Sequence, residues 1–200
     1  IYASHCKESL PFTSEAQELI HHSQHPSNCA GVTWVTAIHN HGIGSEIHVN
    51  GAILSWAINR NAVMVWPNSS WMSHPNCSTK TFECIFLPAT NCTLYSLDPK
   101  KRISFGPEDV RYEIPSKFSS TNFAPFTPLY WWRAQSTMYL TRFNAKFELE
   151  MEEFRKKSTQ LTINCNSICV YVRHGAKGSE MQLLPWNRFY NSAQVAAEIS

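Results

Sequence analysis

A strand, a glycine-rich turn, a helix and a second strand follow one another between residues 32 and 66, and this order constrains the fold most. Residues 32–38 are mostly β-branched or aromatic, which predicts a strand. The turn at 39–44 contains two glycines, and Ser45 is a suitable N-cap for a helix that begins at Glu46. Apolar residues at helical spacing follow, and residues 62–66 read as a second strand. A β-α-β unit of this kind predicts an open α/β fold with parallel strands.

Composition and charge narrow the function classes. The 200 residues are 43% hydrophobic, which supplies enough apolar material for a core. The net charge of +2 provides no large basic field, so we expect no binding of nucleic acid through its backbone. No apolar run has the length of a membrane span. The chain starts at Ile1 without a signal peptide, and we interpret it as an internal piece of a longer product.

N-glycosylation sequons and cysteines cluster between residues 68 and 93. The sequons are at Asn68, Asn76 and Asn91, and the cysteines are Cys77, Cys84 and Cys92. A zinc site is the alternative, but the cysteine spacing fits no short zinc motif, so we expect disulfides in an oxidising compartment. The seven cysteines of the chain leave one thiol free or paired elsewhere, and the connectivity stays open.

The glycine turn allows two interpretations. Gly42 and Gly44 at a strand-to-helix junction permit close approach of a ligand, typically a phosphate, to the backbone. The dinucleotide fingerprint is incomplete, and Glu46 adds a negative charge, so an ordinary tight connection is equally compatible. Inside the helix, Gly51 predicts that another segment approaches closely.

The N-terminal part carries a histidine cluster. A short helix is predicted at 15–20, capped by Thr13 or Ser14. The cluster consists of His21, His22 and His25. A metal site there would need an acidic or cysteine partner nearby, so we favour a solvated helix end.

The middle of the chain is expected to be irregular, with helices after it. Residues 95–128 are rich in proline, serine and phenylalanine, and helices resume at Leu129. Trp131 and Trp132 with Arg133 allow a sugar-binding platform, but a packed helix start is favoured. An amphipathic helix follows, and we expect its apolar residues to lie in the core against a sheet face. These residues are Phe143, Phe147, Met151 and Phe154.

The clearest candidate for a phosphate-binding site follows an apolar run at 168–172. This run predicts a buried parallel strand. Arg173 stands at the carboxyl end of this strand, where ligands collect in open α/β sheets. Arg173 and Lys177 suit a bound phosphate, and Glu180 is near enough to act as a base. A structural ion-pair cluster is the alternative.

Three passages, in order, resemble the α1,6-fucosyltransferases of glycosyltransferase family 23. The first is residues 42–48 with Trp71 and residues 82–88, and the second is residues 131–142. The third is residues 170–180, which resembles the family motif His-Val-Arg-Arg-Thr-Asp-Lys. Together they span about residues 30 to 190.

The resemblance implies roles for individual residues. The arginine that holds the β-phosphate of GDP-fucose matches Arg173, and the lysine of the motif matches Lys177. The candidate catalytic glutamate matches Glu180 if one residue is deleted between them. The glycine turn beside the nucleotide matches Gly42 and Gly44, and the histidine of the helix matches His48.

The chain departs from the family pattern at positions that bind the nucleotide or the acceptor in the family. His174 stands in place of the second arginine and remains a substrate-binding candidate, while Ala176 replaces the aspartate. Ile43 replaces the aromatic residue between the glycines. The later motifs of the family would fall beyond Ser200, which implies an incomplete catalytic unit.

The expected fold is therefore a set of open Rossmann-like α/β layers of the GT-B-like fucosyltransferase type, incomplete, with a disulfide-containing loop insertion. Residues 1–31 are interpreted as an N-terminal extension and 32–165 as the acceptor-side domain, with a glycosylated loop at 68–99 and a helical segment at 129–157. Residues 166–200 would begin the nucleotide-sugar-binding domain.

The implied reaction is an inverting transfer of fucose from GDP-fucose to a glycan, without metal or other cofactor. Glu180 would take the proton of the acceptor hydroxyl, and Arg173 with Lys177 would hold the leaving diphosphate. The partners are a sugar nucleotide and a glycan acceptor. The resemblance also implies a Golgi or secretory-lumen protein, with any membrane contact made through an anchor outside this chain.

Two other functions remain open. Arg173, His174 and Gly175 after a strand resemble the start motif of histidine phosphatases, in which the histidine is the nucleophile. That motif lies near the start of its domain, whereas here only the residues from Ala176 to Ser200 follow. A non-catalytic glycan-binding module is the second alternative, motivated by Ala176 and the missing later motifs.

Overall fold

The computed structural model describes residues 10–37, 43–66, 81–105, 111–120 and 127–158 of the chain. In chain order the helices and strands are α1 (Thr13–Gln24), β1 (Trp34–Ala37), α2 (Ile43–Ile58), β2 (Val63–Met64), β3 (Arg102–Phe105), α3 (Ser116–Ser119), α4 (Pro128–Leu140) and α5 (Ala145–Ser158). Among the described residues before β3, 3₁₀ turns lie at Phe82–Cys84, Leu94–Ser96 and Pro99–Lys101.

A parallel three-stranded sheet organises these elements. β1 lies in the centre, with β2 on one side and β3 on the other. The β-α-β unit predicted from the sequence is confirmed as β1, α2 and β2. The helix begins at Ile43, so Ser45 lies in its first turn and is not its N-cap. The small parallel sheet with helices is compatible with a Rossmann-like fold.

β3 lies in the stretch that the sequence predicts to be irregular, and this expectation is wrong for Arg102–Phe105 and also for the helix α3. The strand pairs with β1 along its whole length, from Trp34 opposite Arg102 to Ala37 opposite Phe105. Its residues alternate between exposed and half-buried, so no continuous apolar run marks it. Pairing with β1 supplies the stability that local propensity does not, as is common for short strands.

α2 is the central helix of the core. Every residue from Val49 to Ser55 is buried, and the helix packs against β1, β2 and α4. The close approach predicted at Gly51 is confirmed, because a Cβ atom there would meet the hydroxyl oxygen of Tyr112, and the ring carbon Cζ lies 3.2 Å away. Glycine at this position therefore admits the tyrosine side chain.

The tryptophan pair of α4 is part of the core. Trp131 and Trp132 are 2% and 0% exposed, and their rings pack around Phe118. The indole nitrogen of Trp132 donates a hydrogen bond to Ser55 Oγ (2.8 Å), and that of Trp131 donates to the carbonyl of Pro11 (3.1 Å). The packed helix start is therefore confirmed, and the pair does not form a sugar platform.

The cysteine-rich region is more buried than a surface loop. Phe82 and Phe86 lie in the core, and Phe82 stacks on Trp66 with ring centroids 4.6 Å apart. Cys92 forms a disulfide with Cys29, which joins this region to the segment before β1. Disulfide bonding is thus confirmed over zinc for Cys92, and Cys84 is also disulfide-bonded. Cys77 lies outside the described residues.

α5 lies on the surface, and its aromatic residues at the start only border the core. Phe143, just before the helix, stacks on Phe86 with centroids 5.7 Å apart, and Phe147 packs on Phe143. Phe154, however, is 63% exposed. The prediction of a helix is confirmed, but the expectation that Phe154 belongs to the core is wrong, and Met151 is only half-buried.

Gln24, the last residue of α1, completes the outer edge of the sheet. Its side-chain oxygen accepts from the Met64 amide (2.7 Å), and its side-chain nitrogen donates to the Ala62 carbonyl (3.2 Å). Because β2 bonds β1 through its other backbone groups, this amide takes the place that a neighbouring strand would occupy. Gln24 is fully buried, so both hydrogen bonds are shielded from water.

Candidate ligand-binding cleft

A cleft of about 750 Å³ lies between α2, α4 and the segment 111–115. We call it the α2–α4 cleft; it is lined by Gly44, Ile47, His48, Tyr112, Tyr130, Arg133, Ala134, Thr137, Met138 and Thr141. Gly44 and His48 belong to the first turns of the helix after β1, and Tyr112 belongs to the segment after β3. The helix α2 follows the carboxyl end of β1, and in open α/β sheets ligands bind near such strand ends.

Arg133 lies between two tyrosine rings in this cleft. Its guanidinium carbon is 5.3 Å from the ring centroid of Tyr112 and 5.5 Å from that of Tyr130. Both distances are in the range of cation–π attraction. Tyr130 is 65% exposed, so the ring also presents apolar surface to solvent. The packing fixes the position of the charge and leaves it accessible from the cleft.

His48 is a neutral hydrogen-bond donor in this arrangement. Arg133 Nη2 lies 3.1 Å from His48 Nδ1. Since an arginine nitrogen can only donate, Nδ1 accepts, and the ring proton is carried by Nε2. Burial, followed by the positive charge of Arg133, lowers the pKa of His48 below its usual value. The neutral imidazole is therefore favoured near pH 7.

Tyr112 is held from two sides. Its hydroxyl donates to the backbone carbonyl of His48 (2.9 Å), and its ring packs against the His48 ring at a centroid distance of 5.4 Å. Burial raises the pKa of Tyr112 to about 12, although Arg133 acts in the opposite direction. The phenol stays protonated at neutral pH and acts as a positioning group.

The described lining residues of the cleft carry one permanent charge, the positive charge of Arg133, and include no carboxylate. Within the described ranges Arg133 makes no ion pair, whereas the nearby Glu113 pairs with Arg60 at 2.6 Å. Glu46 is on the first turns of α2 but is 1% exposed and does not line the cleft.

The predicted site residues fall into two groups. Gly44 and His48 both line the cleft, so the structure brings together two of the positions matched to the nucleotide turn and its helix. The remaining substrate-site candidates lie outside the described residues: Gly42, Arg173, His174, Lys177 and Glu180. Their roles stay predictions.

Among the predicted glycosylation sites, only Asn91 is described. It is exposed, and its side-chain nitrogen donates to the carbonyl of Pro26 (3.2 Å). Asn68 and Asn76 lie outside the described residues. Glycosylation at all three stays a prediction.

The histidine cluster sits at the end of α1. His21 and His22 are exposed in its last turn, and the rings of His21 and His25 stack with centroids 3.9 Å apart. His25 Nδ1 donates to the His21 carbonyl (2.9 Å). In the part of the chain that the structure describes, no three histidine, cysteine or acidic side chains are grouped so as to hold a metal ion.

Sequence reasoning missed Tyr112 and Tyr130, which with Arg133 form the aromatic wall of the cleft. Tyr112 lies in the segment predicted as irregular, and Tyr130 immediately precedes the tryptophan pair, whose size and hydrophobicity give the stronger signal. The one signal in the sequence that pointed to Tyr112 was Gly51, since a glycine inside a helix predicts that another segment packs closely there but does not say which one.

No family matches the chain, and no curated protein matches it significantly. None of the described helices is long and apolar enough to span a membrane.

Proposed function

We propose that this chain is part of an inverting, metal-independent glycosyltransferase that transfers fucose from GDP-fucose to a glycan. The proposal rests on the three ordered motifs that resemble glycosyltransferase family 23 and on the parallel sheet. The observation that carries it furthest is the position of the α2–α4 cleft. Gly44 and His48, matched to the nucleotide turn and its helix, line a cleft at the first turns of α2, the helix that follows β1.

The chemistry of the cleft suits a sugar. Exposed aromatic rings such as Tyr130 pack against pyranose faces, while neutral donors such as the Nε2–H of His48 bind hydroxyl groups. Tyr112 and Arg133 fix the orientation of His48. This arrangement supports an acceptor or donor sugar bound beside the glycine turn.

In the proposed reaction, the acceptor hydroxyl forms a bond to the anomeric carbon of fucose as the bond to the β-phosphate oxygen breaks. Glu180 accepts the hydroxyl proton, and GDP leaves with the bonding electron pair. Arg173 and Lys177 would stabilise the developing charge on the diphosphate, and His174 would contact the substrate. The proposal places this reaction in the lumen of the Golgi or secretory pathway. The Cys29–Cys92 disulfide supports folding in an oxidising compartment.

The test is binding of GDP to the full chain, followed by transfer of radiolabelled fucose from GDP-fucose to an oligosaccharide. We expect the wild type to bind GDP and Arg173→Ala to lose this binding. Arg60→Ala serves as the matched control, since Arg60 lies on the surface and pairs with Glu113. Absence of GDP binding, or equal GDP affinity in Arg173→Ala, contradicts the proposed donor site.

A non-catalytic glycan-binding module is the second candidate. It is favoured by the cleft itself, which within the described residues offers aromatic rings and neutral donors but no carboxylate to act as a base. Retention of glycans by a chain that binds no GDP would support the module over the transferase.

A further inference from the structure

The charge of Arg133 has no counter-charge in the described part of the chain. Its guanidinium group contacts two rings and a neutral imidazole, and it makes no ion pair there. Arg60 and Glu113 show the contrast, since that arginine stacks on Trp56 and also pairs with a carboxylate. A cation that is half-buried without a carboxylate gains more from an anionic ligand than an exposed one does.

We propose that the α2–α4 cleft binds a saccharide that carries an anionic group, a carboxylate or a sulfate ester, through Arg133. This inference names a substrate class for the cleft and rests on the proposed function only in placing a sugar there. The diphosphate of the donor is assigned to Arg173 and Lys177 in that function, so Arg133 serves a different anion.

The geometry provides the parts of such a site. The guanidinium group presents five N–H donors, of which one is used by His48, and its planar fork matches an oxyanion. Tyr130 offers an exposed ring face for the sugar ring, and His48 Nε2–H offers a neutral donor. The two tyrosine rings restrict the guanidinium group, so less side-chain freedom is lost when an anion binds.

The cleft is also large enough. Its volume of about 750 Å³ falls within the range typical of small-ligand sites. An anionic monosaccharide therefore fits with room for a neighbouring residue of an oligosaccharide.

The experiment compares matched sugars by NMR titration of the full chain. The probes are methyl β-glucuronide, glucose 6-sulfate, the neutral methyl β-glucoside, and GDP. We expect the glucuronide, the sulfate or both to bind at least about tenfold more tightly than the glucoside, as a charge-assisted hydrogen bond allows. The two anionic probes distinguish the carboxylate from the sulfate ester.

Variants then assign the preference to Arg133. In Arg133→Gln the ratio of the affinity for an anionic sugar to that for the neutral glucoside should fall to about one. Arg60→Gln makes the same change in net charge outside the cleft and should leave this ratio unchanged. Tyr130→Ala should lower the affinity for the charged and the neutral sugars by the same factor. Thermal unfolding reports whether each variant folds. Should Arg133→Gln fail to fold, Arg133→Lys keeps the charge but loses the planar fork, and a smaller ratio is expected.

The outcomes separate this inference from the proposed function. Equal binding of the charged and neutral sugars to the wild type, or an unchanged ratio in Arg133→Gln or in a folded Arg133→Lys, overturns the anionic-sugar site. If GDP binds in that case, the proposed transferase function still stands. If the chain binds no GDP but prefers anionic sugars through Arg133, the anionic-sugar site is supported and the proposed transferase function is contradicted.

Discussion

The hydroxyl group of Ser55 connects three parts of the core, and its removal gives the sharpest test of the packing. It accepts hydrogen bonds from the indole nitrogen of Trp132 (2.8 Å) and from the Glu113 amide (2.9 Å). It donates its own proton to the Glu113 carbonyl (2.5 Å). The hydroxyl thus uses its full hydrogen-bonding capacity to join α2, α4 and the segment beside the cleft.

We expect Ser55→Ala to lower the free energy of unfolding by about 3 kcal/mol. The indole N–H of Trp132 is in a fully buried side chain, and leaving it without a partner costs about 1–3 kcal/mol. The half-buried Glu113 backbone loses two hydrogen bonds, although its carbonyl keeps the Asn59 side-chain amide at 3.1 Å. The higher helix propensity of alanine offsets about 0.5 kcal/mol.

Ser136→Ala is the matched control. Ser136 is also a fully buried helical serine, but its hydroxyl has no hydrogen-bond partner within the described residues. Removing that hydroxyl should leave stability unchanged or raise it by about 1 kcal/mol. Urea unfolding measures both free energies, and the midpoint of thermal unfolding should fall by roughly 6–12 °C in Ser55→Ala only. Equal losses in the two variants would refute the reasoning, because the cost would then come from the serine-to-alanine change itself.

Three further predictions concern the cleft and the loop. Gly51→Ala should be less stable than wild type by about 1 kcal/mol in urea unfolding, because the clash with Tyr112 outweighs the gain in helix propensity. Gly44→Ala, whose added Cβ meets nothing within 4 Å, should not be less stable, and a loss as large as that at Gly51 would contradict this. Replacing both cysteines of the Cys29–Cys92 disulfide, whose sequence separation is 63, by serine should cost about 4 kcal/mol by loop entropy, and a loss below about 1 kcal/mol would count against it. The pKa of His48 is lowered in the folded chain, so its contribution to stability is complete above its usual value of 6.5 and is lost as the pH falls through the folded pKa. Unfolding free energies measured between pH 7.5 and 5 should therefore fall less steeply in His48→Gln, and identical profiles would contradict this.

The fold was predictable where local pattern and tertiary packing agree. The β-branched run before the glycine turn and the apolar run after the helix both became strands of the parallel sheet. β3 was missed because Arg102–Phe105 contains only two apolar residues and depends on pairing with distant β1. Phe154 was wrongly placed in the core because its local helical spacing is regular. That spacing does not show where the contact of the helix with the core ends.

The candidate site was predictable only in part. Gly44 was predicted from the glycine turn between a strand and a helix, and His48 from the resemblance of this helix to the family pattern. Tyr112 and Arg133 come from distant segments. Arg133 meets His48 because α4 packs on α2, and Tyr112 meets it because the segment 111–115 lies against α2 at Gly51. Helix–helix packing of this kind depends on side-chain shape along the whole contact, which no local spacing reveals.

The amide of Gln24 has a consequence for how the sheet can extend. One side chain satisfies the outward-facing backbone groups at Ala62 and Met64, so a foreign strand cannot add there without displacing a buried residue. The β2 edge is therefore protected against edge-to-edge aggregation, without proline or charge in the strand.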